Sequence, residues 1–229
     1  MSALLRPTLV AGLVTFLAAI LSYTLPPDYA ATGVGALFCI AVYWLSLRHS
    51  AETIEADGLR LGGIFAPEPL SLRRLGHEGL AAVRWAGVAG LVFFPAFTLA
   101  YGQVWAPSRE FVWASPPSLD EILGQILVTA LPEEMFYRGY LQSAFDRAVG
   151  GRVSVLGAQV GAGVLLASVV FALGHVATRP DPARLAVFFP SLVFGWLRAR
   201  TGGIGGATLF HAGSNLLSSY LAHAYFGHP

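Results

Sequence analysis

Two adjacent carboxylates and an arginine occur in the sequence Pro132-Glu133-Glu134-Met135-Phe136-Tyr137-Arg138-Gly139, inside the otherwise apolar stretch 119–145. Ionised side chains in hydrocarbon are costly unless they are paired, hydrated or used in function. Two further polar breaks follow at His175 and at 211–215, where His211 and Asn215 lie. These breaks supply a carboxylate pair, two imidazoles and a carboxamide, which are side chains that hydrolases use. Their apolar surroundings place them inside a membrane.

Helical geometry separates the two carboxylates. Glu134 and Arg138 are four residues apart, which puts them about 40° from each other on a helix and predicts an ion pair. Glu133 lies about 140° from Arg138, so it is free to point into a cavity and to act as a general base or acid. The alternative is that all three residues form only a buried packing network.

The downstream polar residues have a catalytic and a structural interpretation. His175 follows the apolar run 164–174, and taken alone such a histidine is more typical of a membrane interface than of a catalyst. His211 and Asn215 are also four residues apart, so both reach the same spot and offer two hydrogen-bond donors to an oxyanion. A polar clamp between helices is the alternative for this pair.

Composition predicts a polytopic helical membrane protein. Of the 229 residues, 55% are hydrophobic and only 12% are charged, against about 25% charged in soluble domains. The net charge of +1 gives no indication of nucleic-acid binding. We predict an all-α bundle of about seven membrane spans, at 4–25, 29–47, 81–101, 119–145, 160–175, 184–199 and 204–222.

The sequence divides into two regions of a single membrane domain. Residues 1–118 hold three spans and a polar loop at 48–84, which we interpret as a solvated loop with scope for a short interfacial helix. Residues 119–229 hold the polar motifs. Ser118, Asp120 and Glu121 predict a helix start with a cap and an acidic first turn.

The arginines predict the orientation, because cytoplasmic loops are enriched in basic residues. Apart from Arg138 inside the membrane, the seven spans put ten arginines on one side, namely Arg6, Arg48, Arg60, Arg73, Arg74, Arg84, Arg147, Arg152, Arg198 and Arg200. The other side receives three, which are Arg109, Arg179 and Arg184. We therefore expect an inner-membrane protein with a cytoplasmic N-terminus and an extracytoplasmic C-terminus.

The order Glu-Glu-x-x-x-Arg, Phe-x-x-x-His and His-x-x-x-Asn, each on its own span, resembles the CPBP family of intramembrane endopeptidases, which includes the type II CAAX prenyl proteases and the bacterial ABI proteins. The resemblance covers roughly residues 119–220, and no motif position departs from the family pattern. It implies a helical bundle with a conical catalytic cavity. Glu133 would activate water with help from His175, His211 and Asn215 would form the oxyanion site, and Glu134 and Arg138 would support Glu133.

Cofactor and substrate are less constrained by the sequence. Two histidines and a glutamate are possible zinc ligands, but the sequence lacks His-Glu-x-x-His and asparagine is a poor fourth ligand, so we expect no cofactor. The expected partner is a protein or peptide substrate in or at the bilayer. The arginine-only, Ala- and Gly-rich composition suggests a bacterium, and the compact chain resembles the myxosortases, which remove a C-terminal sorting tail.

Three other functions remain open at this level. The chain could process a lipidated CAAX-type peptide, or it could be a non-catalytic membrane scaffold or chaperone with the same fold. The intact set of Glu133, His175, His211 and Asn215 argues against a scaffold. A transporter that uses Glu133 and Glu134 as a proton relay is a further alternative, although the repeated halves common in transporters are not visible.

Overall fold

The computed structural model describes residues 3–65 and 69–227, and its architecture is helical. The first helices are α1 (Leu5–Thr24), α2 (Pro27–Val42, extended by a π-helical turn Tyr43–Leu47), the short α3 (Ala51–Ala56) and α4 (Leu72–Val104). A continuous helical stretch, here called the carboxylate helix (119–149), contains α5 (Leu119–Gly124), α6 (Leu131–Glu134) and α7 (Gln142–Val149), joined by π-helical segments. The last helices are α8 (Ala162–Thr178), α9 (Phe188–Thr201, preceded by a 3-10 turn Pro182–Val187) and α10 (Gly205–Phe226).

Within residues 3–65 and 69–227, seven long helical stretches overlap the seven predicted spans, and the prediction of an all-α membrane protein is confirmed. Three of these helices, Leu5–Thr24, Pro27–Leu47 and Leu72–Val104, are long and apolar enough to cross a bilayer on their own, and Ala162–Thr178 is a shorter apolar helix. A cap fixes the start of the carboxylate helix as predicted. Ser118 Oγ accepts from the amide of Glu121, while the Glu121 carboxylate accepts from the amide of Ser118.

One small element was not predicted. Strands β1 (Val153–Val155) and β2 (Ala158–Val160) form an antiparallel hairpin before α8, so the fifth helix starts at Ala162 rather than at 160. Trp196 Nε1 donates to the carbonyl of Val155 at 2.9 Å, and Arg200 Nη1 donates to the carbonyl of Gly157 at 2.7 Å. The hairpin is therefore attached to the end of α9.

The interpretation of 48–84 as a solvated loop is wrong for most of its length. Helix α3 occupies its first part, and α4 begins at Leu72, nine residues before the predicted span. Asp57 is fully buried, accepting from Ser46 Oγ at 2.6 Å and from Arg147 Nη1 at 2.7 Å. A buried carboxylate needs such partners, and they fix this segment to the carboxylate helix. Residues 66–68 of the loop lie outside the described residues, as do the last two residues of the predicted region 119–229.

The N-terminal helices pack directly on the motif-bearing ones. Helix α1 contacts α8, α2 contacts the carboxylate helix, and α4 runs along α10. Phe94 of α4 stacks on Phe210 of α10 with ring centroids 5.1 Å apart. Every residue from Met135 to Leu141 is buried by this arrangement. The carboxylate helix is thus the centre of the bundle. The division into regions 1–118 and 119–229 remains a prediction from the sequence, and the helices of the two regions pack against each other.

Candidate functional site

The carboxylate pair lies in a short α-helical turn between two π-helical segments. Gln125–Ala130 precedes it and Met135–Leu141 follows it. Proline at position 132 has no amide hydrogen, so it removes one main-chain hydrogen bond just before the pair. Widened π turns are common at functional sites, where they redirect side chains. The backbone irregularity therefore coincides with the residues that carry the chemistry.

Glu134 is the centre of a buried ion network. Its Oε1 accepts from Arg138 Nη1 at 3.0 Å, and the side chains of Glu134 and Arg138 are 0% and 1% exposed. His211 Nδ1 of α10 lies 2.8 Å from the same oxygen. The pairing predicted from the spacing of Glu134 and Arg138 is present, and it extends to a third residue on another helix.

Arg138 is held on every side. Its guanidinium carbon lies 4.5 Å from the ring centroid of Phe171 and 4.8 Å from that of Phe194, so it is sandwiched between two aromatic faces. Its Nη2 donates to Ser191 Oγ at 2.6 Å and to the Ser191 carbonyl at 3.3 Å. An arginine with these contacts is a rigid support for Glu134.

Glu133 has a different environment, although it is the neighbouring residue. Its side chain is 16% exposed, and its Oε2 has no hydrogen-bond partner in the described part of the chain. The closest ionisable group is His211, whose Nε2 is 3.9 Å from Glu133 Oε2, beyond hydrogen-bond length. Glu134 Oε2 also has no partner among the described residues, but Glu134 is paired through Oε1, whereas Glu133 makes no hydrogen bond there and lines a cavity. The sequence-based separation of the two acids is reproduced in this sense.

His175 shares a cavity with Glu133. The cavity has a volume of about 460 Å³ and is lined by α1, α2, the carboxylate helix and α8. His175 Nδ1 lies 3.0 Å from the carbonyl oxygen of Phe171, and because a carbonyl can only accept, Nδ1 carries the proton. The lone pair of neutral His175 is therefore on Nε2. The Phe171 ring, with its centroid 4.3 Å from that of His175, fixes the imidazole plane.

A close approach of α8 to the carboxylate helix brings His175 to this position. A Cβ atom at Gly174 would lie 3.0 Å from Tyr137 Oη, which is tighter than most real Cβ contacts. Glycine before the histidine thus permits the two helices to approach.

Asn215 is near the network but is held by a residue that the sequence did not indicate. Its Nδ2 donates to Gln125 Oε1 at 3.0 Å, which joins α10 to the first π-helical segment. No hydrogen bond joins Asn215 to Glu133, His175 or His211 within residues 3–65 and 69–227. The ring of His211 stacks on Phe194, at 4.6 Å between centroids, while Nδ1 binds Glu134. Of the predicted pair, His211 binds Glu134 and lies 3.9 Å from Glu133, while Asn215 is oriented by Gln125. Neither of them is among the residues that line the cavity of Glu133 and His175.

Three residues at the site were missed by sequence reasoning. Gln125 and Ser191 contact Asn215 and Arg138 from other helices, and Arg184 lines the cavity beside Glu133. Gln125 and Ser191 are ordinary polar residues in apolar runs, so a search for every polar side chain within the spans would have found them. Arg184 was counted only as a charge at a span end.

The described residues show no gathered set of metal ligands. In the described part of the chain no group of three or more histidine, cysteine, aspartate or glutamate side chains is arranged to hold one. Asn215, which is a poor zinc ligand in any case, is engaged by Gln125. Zinc sites need at least three converging protein ligands.

Comparison with known proteins gives one family. Residues 116–217 match the model of the Rce1-like family, described as type II CAAX prenyl endopeptidase Rce1-like. The match contains all three polar motifs and covers a little less than half of the chain. No curated protein matches the sequence. Helices α1 and α2, which complete the cavity wall, lie outside the matched segment.

Proposed function

We propose that the protein is an intramembrane endopeptidase that hydrolyses a peptide bond of a membrane-associated or exported protein, because residues 116–217 match the model of the Rce1-like type II CAAX prenyl endopeptidase family. The family is a protease family, and the apolar helices identify a membrane protein. The observation that carries the proposal is the shared cavity of Glu133 and His175, in which one oxygen of Glu133 has no partner.

In the proposed reaction, Glu133 activates a water molecule. Its free carboxylate oxygen accepts a proton from water as the water oxygen attacks the carbonyl carbon of the scissile bond. His175 Nε2 accepts the second hydrogen bond of that water and orients it. When the carbon–nitrogen bond breaks, the proton held on Glu133 passes to the leaving amine, so no other proton source is required.

His211 and Asn215 are proposed to stabilise the oxyanion that forms on the carbonyl. In this role His211 is an imidazolium, because Nδ1 donates to Glu134 and only the doubly protonated ring also carries a proton on Nε2, which faces Glu133. Asn215 has a second amide hydrogen besides the one given to Gln125. A donor already aimed at the developing charge needs no reorganisation during the reaction. Glu134 and Arg138 hold His211 in place and are positioning residues.

The substrate is proposed to enter from the extracytoplasmic side. The cavity extends to Ser22 and Pro27, where α1 ends and α2 begins, and this end of the bundle is the one with few arginines. With the arginine-rich end in the cytoplasm of a bacterium, the cavity opens outward across the inner membrane. An exported protein with a C-terminal sorting tail fits this orientation. A lipidated CAAX-type peptide is the alternative substrate.

The test is co-expression with a panel of exported proteins that bear a C-terminal span and a basic tail. Intact mass spectrometry of each candidate is compared between cells with the wild-type protein and cells with Glu133→Ala. A shortened product that requires Glu133 establishes the endopeptidase and locates the scissile bond. Full-length candidates in both strains, with CAAX-type peptides also intact and the protein folded, would favour the non-catalytic scaffold.

We propose that hydrolysis needs no metal, and a chelator should therefore leave the rate unchanged. The measurement is the initial cleavage rate in detergent before and after dialysis against EDTA and 1,10-phenanthroline. Loss of activity that zinc restores would contradict the glutamate mechanism. The same treatment of a known zinc metalloprotease in the same detergent is the control.

Gln125 is proposed to position Asn215, so Gln125→Leu should lower kcat by about tenfold or more, in line with loss of one oriented oxyanion donor. KM should change little, since neither Gln125 nor Asn215 is among the residues that line the cavity of Glu133 and His175. Gln125→Glu keeps the accepting oxygen and should retain most of the rate. Equal losses in both variants would mean that Gln125 acts through packing alone.

A further inference from the structure

Two arginines line the cavity that contains Glu133 and His175. Arg184, in the 3-10 turn Pro182–Val187, is half-buried, and Arg179, at the end of α8, is exposed. The charge of Arg184 lies within electrostatic reach of Glu133, Arg179 and Asp181. The cavity therefore has a carboxylate deep inside and two positive charges nearer its mouth.

Contacts within the described part of the protein do not explain the positions of these two arginines. Within residues 3–65 and 69–227, neither guanidinium makes an ion pair or a hydrogen bond. Asp181 is exposed and accepts instead from the amide of Ala183 at 3.0 Å, which caps the turn. By contrast, Arg138, Arg147 and Arg198 each donate to oxygens of other helices or loops. Arg179 and Arg184 are thus available to a ligand.

Their side of the membrane is also unusual for arginine. Only Arg109, Arg179 and Arg184 are assigned to the extracytoplasmic end, and two of these three line the cavity. Arginine at this end runs against the distribution that sets topology. Two of them at the mouth of one cavity are better explained by binding than by orientation.

We propose that Arg184, assisted by Arg179, binds a carboxylate of the peptide substrate in the outer part of this cavity. The inference rests on the proposed function, because it assigns the ligand as the substrate of Glu133. Guanidinium groups bind carboxylates through paired hydrogen bonds with defined geometry. The bound carboxylate fixes the distance from the anchored group to the scissile bond, so Arg184 is a specificity-determining residue.

A peptide fits the site better than a lipid phosphate does. The cavity, at about 460 Å³, is within the usual range for small ligands and suits a short peptide segment. Arg184 is half-buried inside it and shares its walls with Glu133, so a group bound there is placed relative to the catalytic carboxylate. A lipid phosphate would remain at the bilayer surface and would need no such alignment.

The experiment measures peptide binding without turnover. The full-length protein carrying Glu133→Gln is placed in phosphatidylcholine nanodiscs, and a fluorescein-labelled hexapeptide of alanine and leucine is titrated by fluorescence anisotropy. The peptide has three forms: a free C-terminal carboxylate, a C-terminal amide, and an amide with one internal aspartate. Arg184→Gln, Arg184→Lys and, as the matched control, Arg109→Gln are added to the same background. Arg109 lies over the Phe226 ring, away from the cavity.

A carboxylate form should bind about tenfold more tightly than the plain amide, as expected for a hydrogen-bonded ion pair. Arg184→Gln should remove this preference, Arg184→Lys should keep most of it, and Arg109→Gln should leave it unchanged. Tight binding of the free-acid form alone identifies a C-terminal carboxylate, while tight binding of the aspartate form identifies an acidic side chain. Elution as a single species in size-exclusion chromatography verifies the fold of each variant.

Equal binding of the three peptide forms, or a preference that survives Arg184→Gln, would overturn the inference. Loss of the preference when the protein is placed in phosphatidylglycerol nanodiscs instead would assign the arginines to an anionic lipid phosphate. That result would also overturn the inference. The proposed function fails separately. A carboxylate preference in a protein that cleaves nothing contradicts the endopeptidase, whereas Glu133-dependent cleavage with no carboxylate preference contradicts only the role of Arg184.

Discussion

Replacement of Glu133 by alanine is expected to abolish peptide cleavage while the protein remains folded. The side chain has one oxygen without a partner and lines a cavity, so its removal breaks no hydrogen bond in the described part of the chain. It does remove the proposed acceptor for the proton of the attacking water. We expect the rate to fall by at least about 10²–10⁴-fold, the contribution typical of a positioned general base.

The measurement is the cleavage rate of a substrate identified by the co-expression panel, with thermal stability determined on the same preparation. Glu133→Gln is the closest replacement, because it keeps the shape of the side chain and removes only the base. Glu110→Ala is a control for the loss of one carboxylate, since Glu110 is exposed in the loop before the carboxylate helix. Substantial activity in Glu133→Gln would exclude Glu133 as the base.

The helices could be predicted well because each has a strong local cause. Neighbouring residues alone predict the apolar runs of about twenty residues, the Pro26-Pro27 break and the Ser118 cap. The early start of α4 and the burial of Ile54 and of 57–59 could not be predicted in this way. Asp57 is buried with Arg147 as its partner, a residue 90 positions away, and polar composition alone resembles a solvated loop.

The same distinction holds for the site: contacts along one helix could be predicted, and contacts between helices could not. The pairing of Glu134 with Arg138 follows from their spacing on one helix, and so does the different direction of Glu133. The attachment of His211 to Glu134 and of Asn215 to Gln125 joins different helices, across 77 and 90 residues. Spacing on α10 placed His211 and Asn215 on one face but could not show which partner each would meet.

Loss of Arg138 is expected to destabilise the fold rather than to act on the chemistry alone. The guanidinium and the Glu134 carboxylate are both fully buried, and removing one partner leaves the other as an uncompensated buried charge. Such losses cost about 3–5 kcal/mol, which for a chain of this size corresponds to a fall in Tm on the order of 10 °C. Arg138→Ala should therefore lower expression yield, Tm and activity together.

A double replacement separates stability from catalysis. Glu134→Gln/Arg138→Met removes both charges, keeps an accepting oxygen for His211 and fills the space between Phe171 and Phe194. Because paired buried charges can often be exchanged for neutral groups at little cost, Tm should recover most of what Arg138→Ala loses. If Tm recovers and cleavage recovers with it, Arg138 is a support for the fold. If Tm recovers while cleavage stays as low as in Glu133→Ala, the charge on Arg138 or Glu134 takes part in the reaction, and the separation of one working acid from one supporting acid is wrong.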